Sequence, residues 1–389
     1  MEFLITSFTY PLKEKILFSK HFNFYLDNPR TKEEVDIVKH FLRRSYNSGH
    51  DLKIPPKFKD DELNEKFITL EKLIADLYEM FYSKNEEFTD FFDKHQKKSI
   101  FDFVARMWII ARFDDEGESK RLRKEKRQYK KQGTPVVIVL DEEHPIIKKS
   151  NILLDYSYLI ALLAHTESED YFGRSFIYDN DRSADMNHFW REFLMFIMQC
   201  RTYTDNEYRK SRWEKESLRW TYFPEFCEKL EKIRELVDFA LSNSLEEKLL
   251  YVGNTLRIAH DNWEKKSRLL MLTSIIEMLL THNPNTNRFN VEDSINKQFQ
   301  LKTSILVYLN DKNRNIKVIQ KRLKTIYEQR SNVAHGNLGA FNKFIQNLSK
   351  KEGEEEYFDS LITDLYLYIR AILEEYLKDK EFVEFLKDN

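Results

Sequence analysis

Lys321-Arg-Leu-Lys-Thr-Ile-Tyr-Glu-Gln-Arg330-Ser331-Asn332-Val-Ala-His335-Gly336-Asn337 is the stretch on which the reading of this chain turns. It reads as an amphipathic helix that runs out near Gly336, the residue type that commonly closes a helix in the left-handed conformation. Arginine offers a planar, permanently charged fork that fits phosphate. Histidine takes up and releases a proton near neutral pH. Residues five apart on a straight helix are about 140° apart, so Arg330 and His335 cannot share one face. The helix therefore ends near Gly336, or a second copy completes whatever site the two residues serve.

Working outward, the last third of the chain is uniformly helical in pattern. Helices are expected near 245–260, 264–282, 291–309, 316–335 and 355–378. Within 264–282, Leu269, Leu272, Ile275, Ile276 and Leu279 form an apolar stripe, and Asn283-Pro284-Asn285 supplies turn chemistry after it. Leu361, Leu365, Tyr368, Ile372 and Tyr376 repeat the pattern in the final segment. Glu352 and Glu354 to Glu356 read as an acidic loop and helix start. Leu241-Ser-Asn-Ser244 is a plausible boundary. The fold class expected is mainly α: an antiparallel helical bundle over 241–389, preceded by an α+β domain over 1–240.

The N-terminal part is less regular. Residues 1–26 alternate and are rich in Phe, Ile and Tyr, which suggests two short strands, FLITSFTY and HFNFYL. Thr31 and Glu34 have capping-box spacing and open a helix to about Arg44. Further helices are expected over 61–83, 98–112, 151–165, 185–201 and 224–241. Lys120, Arg121, Arg123, Lys124, Lys126, Arg127, Lys130 and Lys131 form a basic run that could grip RNA. Val136 to Leu140 reads as a buried strand.

Composition narrows the function. Charged residues nearly cancel to a net −2, so any nucleic-acid contact must come from a local patch. Only Cys200 and Cys227 occur, which excludes a cysteine zinc site and a disulfide framework and fits a reducing cytosol. No apolar run approaches the ~20 residues of a membrane-crossing helix, and no basic lead precedes the apolar N-terminal residues. A cytoplasmic location is expected, with no membrane contact. Asp141, Glu142 and Glu143 follow the Val136 strand as a Walker B segment would, but no Gly-x4-Gly-Lys-Ser/Thr loop accompanies them. Magnesium binding there is weaker than a solvated turn as a reading. No metal or cofactor is expected.

Arg followed by His after a gap of four to six residues is weak by itself. With ten histidines, about two accidental cases are expected, the usual fate of short motifs. Arg44–His50, Arg182–His188 and Arg330–His335 all satisfy it. Only the last ends a long amphipathic helix among other helices. There, KRLKTIYEQRSNVAHGN behind the helix SRLLMLTSIIEMLL resembles the HEPN superfamily, and most closely its Apea-like branch. Tyr327, Arg330, Ser331, His335 and Gly336 match the Tyr-x-x-Arg-Ser-x-x-x-His-Gly signature, and Glu277 matches the internal Glu of the preceding apolar helix. The resemblance covers about 245–380. It departs from many active members in having Ser331 directly after the Arg, where they carry Asn, Asp or His.

The resemblance implies a homodimer whose facing Arg–His motifs cut RNA, such as tRNA or mRNA, without metal. It implies a setting of bacterial anti-phage defence or toxin-like growth arrest, with a phage-derived or protein trigger. Arg330 and His335 would be catalytic, with Ser331, Asn332 and Tyr327 near substrate and Glu277 and Gly336 in support. The alternative is a catalytically silent module that dimerises or binds RNA or a partner. The same residues also have a plain structural reading: a helix C-cap at His335 and Gly336, a packed aromatic at Tyr327 and an internal ion-pair partner at Glu277.

Overall fold

The computed structural model describes residues 2–9, 12, 14–32, 34–38, 105–106, 108–113, 145–164, 227–262, 264–282, 294–352 and 354–388. The basic run at 120–131, the acidic residues 141–143, the strand expected over 136–140 and the helices expected over 61–83 and 185–201 lie outside them, as do Arg44, His50, Arg182 and His188. The described residues are mainly helical, with a small antiparallel sheet from the N-terminal part of the chain. The chain divides into two compact units. One comprises Met1–Leu154, Thr166–Tyr171 and Ser175–Arg234; the other comprises Asp155–His165, Phe172–Arg174 and Glu235–Asn389. No helix among the described residues is long and apolar enough to cross a membrane.

The sheet of the first unit has four strands: β1 (Glu2–Thr9), β2 (Ile16–Ser19), β3 (Phe24–Asp27) and β4 (Trp108–Phe113). They lie in the order β1-β4-β3-β2, and each neighbouring pair is antiparallel. The sequence led to two strands in 1–26, and three are formed there or across its end. His21 to Asn23, read as strand, are instead the turn of the β2–β3 hairpin, with Asn23 at φ 58. Asparagine tolerates that left-handed conformation better than most side chains. Residues 98–112 were expected to be helical, yet Trp108–Phe113 is a central strand. Trp108, Ile109, Ile110 and Ala111 are all buried. A continuous apolar run covered on both faces has the same signature in strand and helix, so periodicity could not separate them.

An ionic cluster ties the sheet to the turn that follows β3. The Arg112 side chain donates to Asp27 at 3.0 Å, to the Asn28 carbonyl at 3.0 Å and to both carboxylate oxygens of Glu34. Thr31 and Glu34 form the expected capping box: the Glu34 amide donates to the Thr31 hydroxyl at 3.3 Å, and the Thr31 amide donates to Glu34 Oε2 at 3.0 Å. Burial pushes the Glu34 carboxyl up, but hydrogen bonds from Arg112 and from the Thr31 and Arg30 amides outweigh it and hold the group down at about 2. Glu34 is therefore ionised in the folded state at a pH where it is already protonated in the unfolded chain. Its contribution to stability is complete above pH 4.5 and is lost as pH falls toward 2. After screening by solvent it amounts to about 1–2 kcal/mol. Acid titration followed by circular dichroism is expected to show Glu34→Gln less stable than the wild-type chain at pH 6, with the gap closing by pH 2. A gap that does not change with pH would contradict this.

The second unit is built around one helix. Its elements are the second half of α1 (Pro145–Leu163), then α2 (Glu246–Asp261), α3 (Lys265–Leu280), α4 (Ile295–Asn310), α5 (Ile316–Ala334), α6 (Leu338–Glu352), α7 (Glu354–Lys378) and α8 (Lys380–Asp388). α3 packs against α2, α4, α5, α7 and α8. Its buried residues, Leu269, Leu272, Thr273, Ile275, Ile276, Leu279 and Leu280, fill an arc of about 160°, and the rest of the helix is half-buried, as a core helix requires. Ser294 caps the start of α4 and Asn315 the start of α5, each accepting from amides of the first turn. At Leu241-Ser-Asn-Ser244 the chain kinks rather than unravels: Asn243 and Ser244 leave helical φ/ψ, Ser244 at φ 68, and helix resumes at Glu246. α1 and α2 approach closely at Gly253, where a Cβ would lie 2.1 Å from the Asp155 carbonyl oxygen. Arg257 Nε donates to the Asp155 carboxylate at 2.8 Å beside that crossing.

Candidate active site at the end of helix α5

α5 is amphipathic, and its buried residues Ile319, Leu323, Ile326 and Gln329 face the bundle. It ends as the glycine at position 336 predicts. The Gly336 amide donates to the Val333 carbonyl at 3.1 Å, and the Asn337 amide donates to the Asn332 carbonyl at 2.8 Å. Gly336 has φ +72. These are the two hydrogen bonds of a Schellman turn with a left-handed glycine after the cap. His335 is the cap residue, its amide donating to the Ser331 carbonyl at 3.0 Å. Its side chain is exposed, and no hydrogen bond joins the imidazole to any described residue.

Arg330 points the other way, as the helical offset of about 140° demands. Nη2 donates to Glu277 Oε2 on α3 at 2.8 Å. The side chains are 27% and 17% exposed, so this ion pair sits at the edge of the core and solvent reaches it. Arg330 Nε and Glu277 Oε1 are both buried without a partner among the described residues, so the pair uses one contact where a fork and a carboxylate can make two. The guanidinium carbon lies 5.7 Å from the centre of the Tyr327 ring, which in turn packs 5.1 Å from Phe299. Burial raises the Tyr327 hydroxyl pKa, the negative charge of Glu277 adds to that, and Arg330 opposes it. The phenol therefore stays protonated at neutral pH.

The structure thus gathers Tyr327, Arg330 and Glu277 into one cluster, backed by Phe299, and sets His335 and Gly336 at the exposed helix end. Ser331 contributes its carbonyl to the cap and is half-buried. The Asn332 side chain donates to Gln329 Oε1 at 3.3 Å. Phe299 and Gln329 carried no sequence signal for a role here; both are identified only by what they touch. No group of His, Cys, Asp and Glu among the described residues could hold a metal ion. Comparison of the chain with protein-family models, with curated proteins and with solved structures finds no match.

Proposed function

We propose that this chain is a metal-independent endoribonuclease of the HEPN type, acting as a homodimer in bacterial anti-phage defence or toxin-like growth arrest. The observation that supports the reading is that the last turns of one helix carry both an exposed imidazole without a hydrogen-bond partner among the described residues and, on another face, a guanidinium that is held in place but still partly open to solvent. RNA brings its own nucleophile, the 2′-hydroxyl. His335 accepts that proton while the 2′-oxygen attacks phosphorus. The bond to the 5′-oxygen breaks, and the leaving oxygen takes a proton from a second histidine, that of the other copy. Arg330 binds the phosphate through the part of the guanidinium that Glu277 leaves open and offsets the charge gained in the transition state. The products are a 2′,3′-cyclic phosphate and a 5′-hydroxyl. Because Arg330 and His335 leave the helix in different directions, an isologous two-fold interface, which presents each residue twice, is the simplest way to bring one of each to a single linkage.

The test is incubation of the pure protein with tRNA and total RNA in EDTA, with the product ends mapped. Cyclic phosphate and 5′-hydroxyl ends support the enzyme; an absolute need for magnesium overturns it. A specific observation favours a second reading, in which the helical module is silent and only dimerises or binds RNA. Arg330 already has a carboxylate partner, and no side chain orients the His335 ring. Binding without cutting would select that reading. Light scattering on the eluting protein tests the dimer.

A further inference from the structure

The exposed side of α5 is more than the back of a core helix. Lys317, Lys321, Lys324, Glu328, Ser331 and His335 are spaced alternately four and three residues apart, which keeps all six within about 40° of one line along the helix. All are exposed except Ser331, which is half-buried. The line runs about 27 Å from Lys317 to His335, at about 1.5 Å per residue. Arg322 is not part of it, being turned aside to Asp364 at 2.5 Å, and Arg330 is turned to Glu277. Lys317 and Lys321 make no ion pair among the described residues. Lys324 meets Glu328 at 3.9 Å, with side chains 63% and 52% exposed, a contact weak enough for a phosphate to replace. In a chain of net charge −2, three such lysines in one row ending at an exposed histidine are a local concentration of positive charge.

Resting on the reading above, we propose that this face of α5 is a track for the phosphates of single-stranded RNA, gripped by Lys317, Lys321 and Lys324 and led to His335. Charge complementarity selects a polyanion. The apolar face of α5 is already packed in the bundle, through Ile319, Leu323 and Ile326, so the helix has no apolar face left to insert into lipid. The row is narrow and one helix long, which suits a single strand following it and gives no means of reading base sequence. The track therefore supplies affinity and direction, and any preference for particular RNAs comes from elsewhere.

The experiment measures binding apart from cutting. The probe is a labelled 2′-O-methyl oligoribonucleotide of about 12 nucleotides, long enough to follow the row and without the 2′-hydroxyl that cleavage needs. Fluorescence anisotropy is recorded across a salt series for the full chain, for Lys317→Ala/Lys321→Ala/Lys324→Ala, and for a control triple at exposed positions off the row, Lys232→Ala/Lys297→Ala/Lys380→Ala. The row triple is expected to bind at least tenfold more weakly at low salt. Its salt slope should be shallower by about 2, at about 0.7 per lost phosphate contact on a single strand. The control triple should stay within about threefold of wild type, since it removes charge but no contact. The single variant Lys321→Ala should show a smaller loss in the same direction. Equal losses in the two triples, an unchanged row triple, or a wild-type chain that ignores the probe would overturn the track. Cleavage is scored separately: cutting with no dependence on the row leaves the nuclease standing and removes the track. Row-dependent binding without cutting does the reverse.

Discussion

His335→Ala is expected to slow RNA cleavage in EDTA by about 10²–10⁴, the worth of a positioned acid–base group. Arg330→Ala should cost about 10²–10³, comparable to removing one donor aimed at a developing oxyanion. The two substitutions should differ in a second respect. The imidazole makes no hydrogen bond or ion pair with a described residue and is exposed, so His335→Ala should leave thermal stability nearly unchanged. Arg330→Ala strips the partner from a partly buried carboxylate, Glu277, and should lower stability measurably. Arg330→Lys keeps the charge but loses the fork, so it should rescue stability better than rate. Initial rates on end-labelled RNA, with melting curves on the same preparations, check all three. A His335→Ala protein that cuts at the wild-type rate would end the assignment of that residue, and with it the nuclease reading of this helix end.

Gly253→Ala should be among the most damaging single-methyl changes in the second unit. The new Cβ would lie 2.1 Å from the Asp155 carbonyl oxygen and 2.7 Å from its carbon. Both are backbone atoms of a neighbouring helix, so no side-chain rotation relieves the clash. α1 and α2 would have to part, pulling on the Arg257–Asp155 bond of 2.8 Å and the Tyr158–His260 contact of 3.2 Å. Burial already holds the Asp155 carboxyl above its usual range, against the pull of Arg257 and Asn254, so loosening those donors removes what keeps a buried charge tolerable. A loss of about 3 kcal/mol is expected, at the upper end for overpacking, which for a unit of this size lowers Tm by about 6–12 °C. Gly339→Ala is the control. It lies in α6, and a Cβ there meets nothing within 4 Å, so it should be neutral or slightly stabilising through helix propensity. Equal Tm values for Gly253→Ala and wild type would mean that the α1–α2 crossing is not as close as described.

What could be read in the sequence followed how local the physics was. The Thr31–Glu34 capping box, the five C-terminal helices and the left-handed stop at Gly336 are decided within a turn or two of chain, and they were legible. The strand at Trp108–Phe113 was not, because its strand character comes from pairing with β1 and β3 far away in sequence. α6 was hidden by Gly336 and Gly339, which weaken a helical pattern that packing against α7 restores. α8 is short, and its docking on α3 and α7 completes it. At the candidate site, the residue types were visible but the partnership was not. Glu277 could be read as an internal support, yet nothing in the sequence said that it holds Arg330, 53 residues on. The lysine row on α5 is visible in the sequence through its four- and three-residue spacing, but only the fold shows that Arg322 and Arg330 turn away from it.

The placement of α3 bears on how this unit comes apart. It packs against five other helices, and no residue from Lys265 to Leu280 is exposed, so freeing it disturbs all five at once. Its amide protons should therefore exchange with deuterium only when the whole unit unfolds, whereas the amides of α8 and of the first turn of α5 exchange through local fraying. Arg330 is tethered to this slowest-exchanging helix through Glu277, and His335 sits beyond the last turn of α5, so the two halves of the candidate site differ in rigidity by design of the scaffold: one anchored to its stiffest member, the other free to reorient.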